Sequence, residues 1–323
     1  MALFQSRFLM ESKNTKDEGK GFSLLFLVIP AIMLVIGYFI YPYPASDIAL
    51  KLIQIPLFLG LIALGVGFLI KKVELASKIK MTGWIIFAFY WSTQPTTLYL
   101  IEEGDVVNAF LCITGVFVLF YIAYHEWLSI KRNESIVCLN WIAGATAIAG
   151  LIYFGIEASI FKNWLIEITA QQSGWVLNLV IGNVEVIGNN IYHNESYIVT
   201  IVFACTAIQS MVVFVGMIGA LSKVDVKKKI YGLLITVVPI YFLNLLRNAL
   251  VGFLLAKNIT DLNMAHNVIA KTGSLIALII LLFIVIKIIP EIFNEIICLT
   301  DLYKRNGPLE KSLKKIFGRK KID

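Results

Sequence analysis

A chain of 323 residues with 59% hydrophobic and only 15% charged residues stands far from the roughly 25% charged of soluble domains, which excludes an ordinary water-soluble globule. The net charge of +7 is gathered into short breaks between apolar blocks, so it reads as anchoring at a membrane edge and argues against nucleic acid as a partner. The four cysteines lack CxxC spacing, which suggests neither a zinc site nor a disulfide framework; Cys112, Cys138 and Cys298 read as small apolar fillers.

Residues 1–21 are polar and of mixed charge and read as a cytoplasmic segment. The apolar block from Phe22 to Tyr41 has no small-residue cleavage site after it, so a retained helix is expected rather than a signal peptide. Blocks long enough to cross ~30 Å of hydrocarbon at ~1.5 Å per residue follow near 48–70, 83–101, 105–124 and 136–156. Residues 22–156 therefore read as a five-helix membrane scaffold.

Residues 157–198 form one long outer loop, and a loop of that length usually has a function. In 161–181, Trp164, Leu165, Ile168, Trp175, Val176 and Leu179 alternate with polar residues, which predicts an amphipathic helix lying on the membrane. In 184–202, Gly188-Asn189-Asn190 and His193-Asn194-Glu195 interrupt β-branched and aromatic residues, which predicts a short hairpin. Spans near 199–221, 230–255 and 266–289 complete a three-helix region over 199–289, followed by a basic cytoplasmic tail over 290–323. The expected fold is an all-α polytopic membrane protein of about eight transmembrane helices with a small extracytoplasmic helix and hairpin.

Lysine and arginine set the orientation. Lys71, Lys72, Lys78 and Lys80, then Lys131 and Arg132, then Lys223 and Lys227 to Lys229, and finally the tail, fall after every second span, whereas Glu102-Glu103-Gly104-Asp105 lies between two others. The positive-inside rule then puts both termini in the cytoplasm of a cell-membrane protein and the long loop outside.

Against that frame a few polar residues are unexplained by hydropathy. Cys205 and Arg247 each lie about 18 residues from the inner lysines Lys223 and Lys229, or ~27 Å along a helix, and His266 lies about 21 from Lys287, or ~31 Å. Three reactive side chains on three successive spans thus reach the outer edge of the hydrocarbon. Arg247 sits in Asn244-Leu245-Leu246-Arg247-Asn248, inside an apolar helix and on the side where positive charge is disfavoured. Gln209 lies one helical turn beyond Cys205, so the two are expected to share a face. A cation near a thiol favours the thiolate, and an imidazole at the same level can take the thiol proton and return it to a leaving amine.

The stretch Ala204-Cys205-Thr206-Ala207-Ile208-Gln209-Ser210, followed by Leu246-Arg247-Asn248 and Ala265-His266-Asn267, resembles the archaeosortase and exosortase family, chiefly over residues 180–290. The resemblance implies a membrane cysteine transpeptidase acting on proteins that end in a short motif, a transmembrane helix and a basic cluster. By that likeness Cys205 is the nucleophile that forms a thioester, Arg247 stabilises the oxyanion or orients the substrate, and an amine-bearing lipid accepts the acyl group. The third role falls to His266, where some archaeal members use an arginine. Lys271 competes for it, although on an α-helix it lies ~7.5 Å deeper and ~140° around. Asn244, Asn248, Asn267 and Gln209 are supporting candidates. No cofactor or metal is expected, because the histidines are scattered and Cys205 has no second thiolate at ligand spacing.

Two other readings compete. A transporter or binding protein for an anionic small molecule would use Arg247 and its asparagines in a polar cavity, but paired repeats with broken helices are absent from the sequence pattern. A noncatalytic assembly protein would explain the long aromatic loop but not the common depth of Cys205, Arg247 and His266.

Overall fold

The computed structural model of the chain describes residues 20–41, 43–101 and 106–317. The expected acidic segment 102–105, most of the N-terminal segment and the last basic residues lie outside the described residues. The first half runs α1 (Lys20–Ile40), α2 (Asp47–Leu52), α3 (Gln54–Leu69), α4 (Val73–Ser92), α5 (Pro95–Ile101), α6 (Val106–Arg132) and α7 (Val137–Glu157). Then come α8 (Phe161–Ile181), β1 (Val184–Ile187), β2 (Asn190–His193), β3 (Ser196–Thr200), a 3₁₀ turn at Phe203–Thr206 and α9 (Ile208–Gly219). The chain closes with α10 (Val226–Ala256), a π-helical stretch at Asn263–Ala270, α11 (Lys271–Ile288), α12 (Pro290–Thr300), a second 3₁₀ turn and α13 (Pro308–Phe317).

Six of the described helical segments are long and apolar enough to cross a membrane: Phe22–Ile40, Ile48–Leu69, Val106–Arg132, Val137–Glu157, Val226–Ala256 and Asn263–Ile288. This is a mostly helical, multi-pass membrane protein. Large side chains left exposed along these helices, such as Phe39, Leu69, Phe110, Phe242 and Phe283, would form forbidding apolar patches in water and suit contact with lipid. Two of the eight expected spans fall short. The one placed at 83–101 is the end of α4, whose first half carries Glu74, Lys78 and Lys80, followed by a break and the short α5. The one placed at 199–221 is strand, turn and a 12-residue helix, because the chain enters the membrane region as β3 and turns before it coils.

Packing is tightest where glycine lets backbones meet. A Cβ on Gly60 of α3 would stand 2.9 Å from the Phe87 nitrogen of α4, and Gly216 of α9 leaves room for the Ala145 carbonyl of α7 in the same manner. One core gathers Leu61, Leu64, Trp84, Phe120, Tyr124 and Leu128 from α3, α4 and α6. A second gathers Phe214, Ile218, Leu281, Val285 and Ile289 from α9, α11 and the α11–α12 junction.

The tail is not a free basic arm. Cys138 of α7 and Cys298 of α12 are joined by a disulfide, against the expectation that both were apolar fillers; the partners are 160 residues apart and meet only because α12 folds back beneath α7. Beyond it, Glu310 of α13 accepts hydrogen bonds from Tyr121 (3.0 Å) and Tyr124 (2.8 Å) of α6 and faces His125 at 3.4 Å. Arg305 donates to the His125 carbonyl at 2.9 Å and to Glu134 at 3.1 Å. Burial pushes the Glu310 carboxyl up, but hydrogen bonds from His125, a backbone N–H and Tyr124 outweigh it and hold it down at about 2.

Candidate active site

The long loop packs against Cys205 and forms one wall of the site. Its strands form an antiparallel meander in the order β1-β2-β3, one strand more than the expected hairpin. Gly182 and Gly188 take positive φ at the entry to β1 and in the β1–β2 turn, where a side chain would be strained. The α8 helix buries Thr169, Ala170, Ser173, Gly174 and Leu177 and leaves Trp164, Trp175 and Leu179 exposed. Its buried stripe packs with Ile191, Ile201, Cys205 and Ala249 into a third core.

Cys205 itself is held in a bent peptide. The Ile201 N–H bonds the Asn189 carbonyl at 2.8 Å, and Asn189 Nδ2 donates to the Ile201 carbonyl at 3.1 Å, so the meander fixes where the chain enters. The Cys205 N–H closes a turn on the Val202 carbonyl at 2.8 Å. Ala207 then adopts φ 59°, a left-handed conformation that costs roughly 1–3 kcal/mol outside glycine, and α9 begins at Ile208. Cys205 is a free thiol, 6% exposed, placed ahead of the helix rather than within it. The expected shared face with Gln209 is therefore lost: Gln209 is exposed in the first turn of α9, on the far side of the reversal at Ala207.

The α10 helix supplies the other half. Asn244 and Asn248, one turn apart and each 5% exposed, donate Nδ2 hydrogen bonds to the Cys205 carbonyl at 2.7 and 3.0 Å. Asn248 also donates to Ser173 Oγ of α8 at 3.2 Å. Between the asparagines in sequence, Arg247 interacts electrostatically with Cys205. Its Nε is buried with no hydrogen-bond partner among the described residues. A guanidinium donor is rarely left so, because an unmade charged hydrogen bond costs more than a neutral one.

His266 lies in the π-helical stretch and interacts electrostatically with Arg247 and with Lys271. A π-helix pairs residue i with i+5, and the Lys271 N–H reaches the His266 carbonyl. The ~140° separation expected on an α-helix is thus narrowed, and Lys271 comes within electrostatic reach of His266. Asn267 is engaged elsewhere, donating to Asn263 Oδ1 at 2.8 Å. His193 is also engaged elsewhere, with Nδ1 3.0 Å from the Gly182 carbonyl and Nε2 3.1 Å from Asn194 Nδ2.

Sequence reasoning missed the contribution of α8: Ser173 against Asn248, and Gln172, whose Oε1 accepts a hydrogen bond from the Tyr241 hydroxyl. The readable signal was the stripe Thr169, Ser173 and Leu177 at helical spacing opposite Trp164 and Trp175. Among the described residues there is no group of three or more His, Cys, Asp or Glu able to hold a metal ion.

Archaeosortase A of Haloferax volcanii is 21% identical over 259 residues, covering 69% of this chain and 84% of that protein. No solved structure matches. The transmembrane exosortase family matches residues 13–286, and the chain belongs to that family.

Proposed function

We propose that this protein is a membrane cysteine transpeptidase that cleaves the C-terminal sorting signal of exported proteins and transfers the new C-terminus to an amine. The observation that carries the reading is the constrained, buried Cys205 beside Arg247, whose buried Nε has no hydrogen-bond partner among the described residues. A group held in a bent turn with its carbonyl pinned by two asparagines loses little freedom on attack. An orphan guanidinium donor next to it is ready for charge that exists only during reaction.

In this scheme His266, or Lys271 behind it, takes the Cys205 proton as Sγ bonds to the carbonyl carbon. Arg247 stabilises the resulting oxyanion. Collapse breaks the C–N bond, the proton passes to the leaving amine, and the peptide's C-terminal helix departs. The thioester is then attacked by an amine, taken as that of a membrane lipid, whose proton returns to the base as Cys205 is released. The substrates are proteins with a C-terminal motif, a transmembrane helix and a basic tail. The placement of lysine and arginine supports cytoplasmic termini and an extracytoplasmic site.

The test is intact-mass analysis of a co-expressed substrate bearing such a signal. Wild type is expected to remove the tail and add a lipid-sized mass, and Cys205→Ala to leave the substrate whole. Normal processing by Cys205→Ala would remove Cys205 as nucleophile. The transporter reading draws on the same unpaired arginine; uptake of an anionic solute that survives Cys205 alkylation, with no protein changing mass, would favour it.

A further inference from the structure

At the end of the bundle opposite Cys205, the chain builds a cavity of about 460 Å³ lined both by lysines and by apolar side chains. Its position follows from the helices: α9 runs 12 residues away from the Cys205 turn, about 18 Å, and the loop after it, Ala220 to Lys223, lines the cavity. The end of α3, the start of α4 and the start of α7 form the other walls. Three loops that connect membrane helices thus converge on one space.

Its chemistry selects an anion. Lys71, Lys80 and Lys223 line it against a single lining carboxylate, Glu295. Lys80 is 5% exposed and already committed, 3.0 Å from Glu126 and 3.3 Å from Asn140 Oδ1, so it forms a neutralised floor. Lys71 and Lys223 are exposed at the rim, Lys223 within electrostatic reach of Glu295. Two helices, α4 and α7, start at the wall with no side-chain cap, so their first-turn N–H groups and positive dipole ends are available to a ligand. The acidic residue in the first turn of α4, Glu74, is held 2.6 Å from Lys78.

The lining also selects a lipid over a small ion. Phe68, Leu69, Val137 and Trp141 share the wall with the lysines, and Leu69 (74% exposed) and Val137 (52% exposed) continue onto the lipid-facing surface. A headgroup phosphate among the rim lysines would leave its acyl chains an apolar path along these residues. Basic pockets between transmembrane helices at the inner boundary bind anionic headgroups in this manner. We infer that this cavity is a binding site for the phosphate headgroup of an anionic phospholipid in the leaflet opposite the Cys205 site. It rests on the fold and on no step of the Cys205 chemistry.

The experiment uses the full chain, purified and delipidated in detergent, with native mass spectrometry and thermal shift as readouts. Phosphatidylglycerol is expected to bind saturably and stabilise the protein, with phosphatidylcholine weaker. Lys71→Gln combined with Lys223→Gln should weaken phosphatidylglycerol roughly ten- to thirty-fold. The control Lys311→Gln with Lys314→Gln, which removes the same charge from exposed positions on α13, should change it little. Lys80 is left intact because its loss would unpair Glu126. Equal weakening in both double variants, or binding indifferent to Lys71 and Lys223, would overturn the site. Equal stabilisation by inorganic phosphate alone would overturn the lipid assignment in favour of a free anion.

Discussion

Buried charge occurs at both ends of this molecule, and the two ends treat it differently. At the end bearing the tail, Lys80 faces Glu126 at 3.0 Å, Arg305 faces Glu134 at 3.1 Å and His125 faces Glu310 at 3.4 Å. Both cations, Lys80 and Arg305, have a carboxylate, and the His125 ring faces one too. At the Cys205 end, Arg247 has no carboxylate partner among the described residues; its Nε is unbonded, as is that of Arg305 at the other end, and the His266 ring lies within its electrostatic reach. Paired charge locks α13 onto α6. A guanidinium without a carboxylate, as at Arg247, is unfavourable in the resting protein and becomes favourable when negative charge develops next to it.

The largest expected effect tests that contrast directly. Arg247→Ala should lower the cleavage rate by about 10²–10³, or ~3–4 kcal/mol of transition-state stabilisation, with little loss of thermal stability, because it removes an unsatisfied group. Arg305→Ala should do the reverse: it removes the buried guanidinium that ties the tail to His125, Ser129 and Glu134, so the melting temperature falls while cleavage per folded molecule is kept. If both variants lose stability and activity together, the two ends do not have separate roles. His266→Ala and Lys271→Met sharpen the same point. The residue that handles the proton should cost about 10²-fold or more in rate and alter the pH–rate profile, and its neighbour should not.

A smaller effect is expected from pH at the tail end. Glu310 sits at about 2 in the folded protein, below the ~4.3 of a free glutamate. A depressed carboxylate stabilises the fold fully above its unfolded pKa, and that contribution disappears as pH falls from about 4.5 towards 2. Glu310→Gln should therefore lower the melting temperature at pH 7 and flatten its decline across that window. A decline in the variant as steep as in wild type would mean other groups govern acid unfolding.

Much of this was legible in the sequence, and the failures share a cause. Apolar blocks marked the long helices because hydrocarbon thickness dictates their length, and Arg247 stood out because charge in such a block needs a reason. What local pattern could not show was departure from α-geometry. The reversal at Ala207 separates Gln209 from Cys205, and the π-helical stretch brings Lys271 round to His266, yet neither leaves a mark that 3.6-residue counting detects. Contacts across many residues were equally silent. The Cys138–Cys298 disulfide and Ser173 beneath Asn248 depend on how helices are arranged, and nothing in their neighbouring residues announces it.

The smallest effects should come from the asparagines, and they separate positioning from chemistry. Asn244 and Asn248 both donate to one carbonyl, so either alone can hold the Cys205 peptide. Each single alanine variant should cost less than about tenfold in cleavage rate, and the double variant more than the product of the two, because contacting residues that share a partner are not additive. Asn248→Ala additionally leaves Ser173 Oγ buried without that donor, so its effect should shrink when Ser173 is also alanine. Gln209→Ala and Asn267→Ala, facing away from the carbonyl or held by Asn263, should leave the rate unchanged. If Gln209→Ala matched Asn248→Ala in its effect, the turn at Ala207 would not be the geometry in which Cys205 reacts.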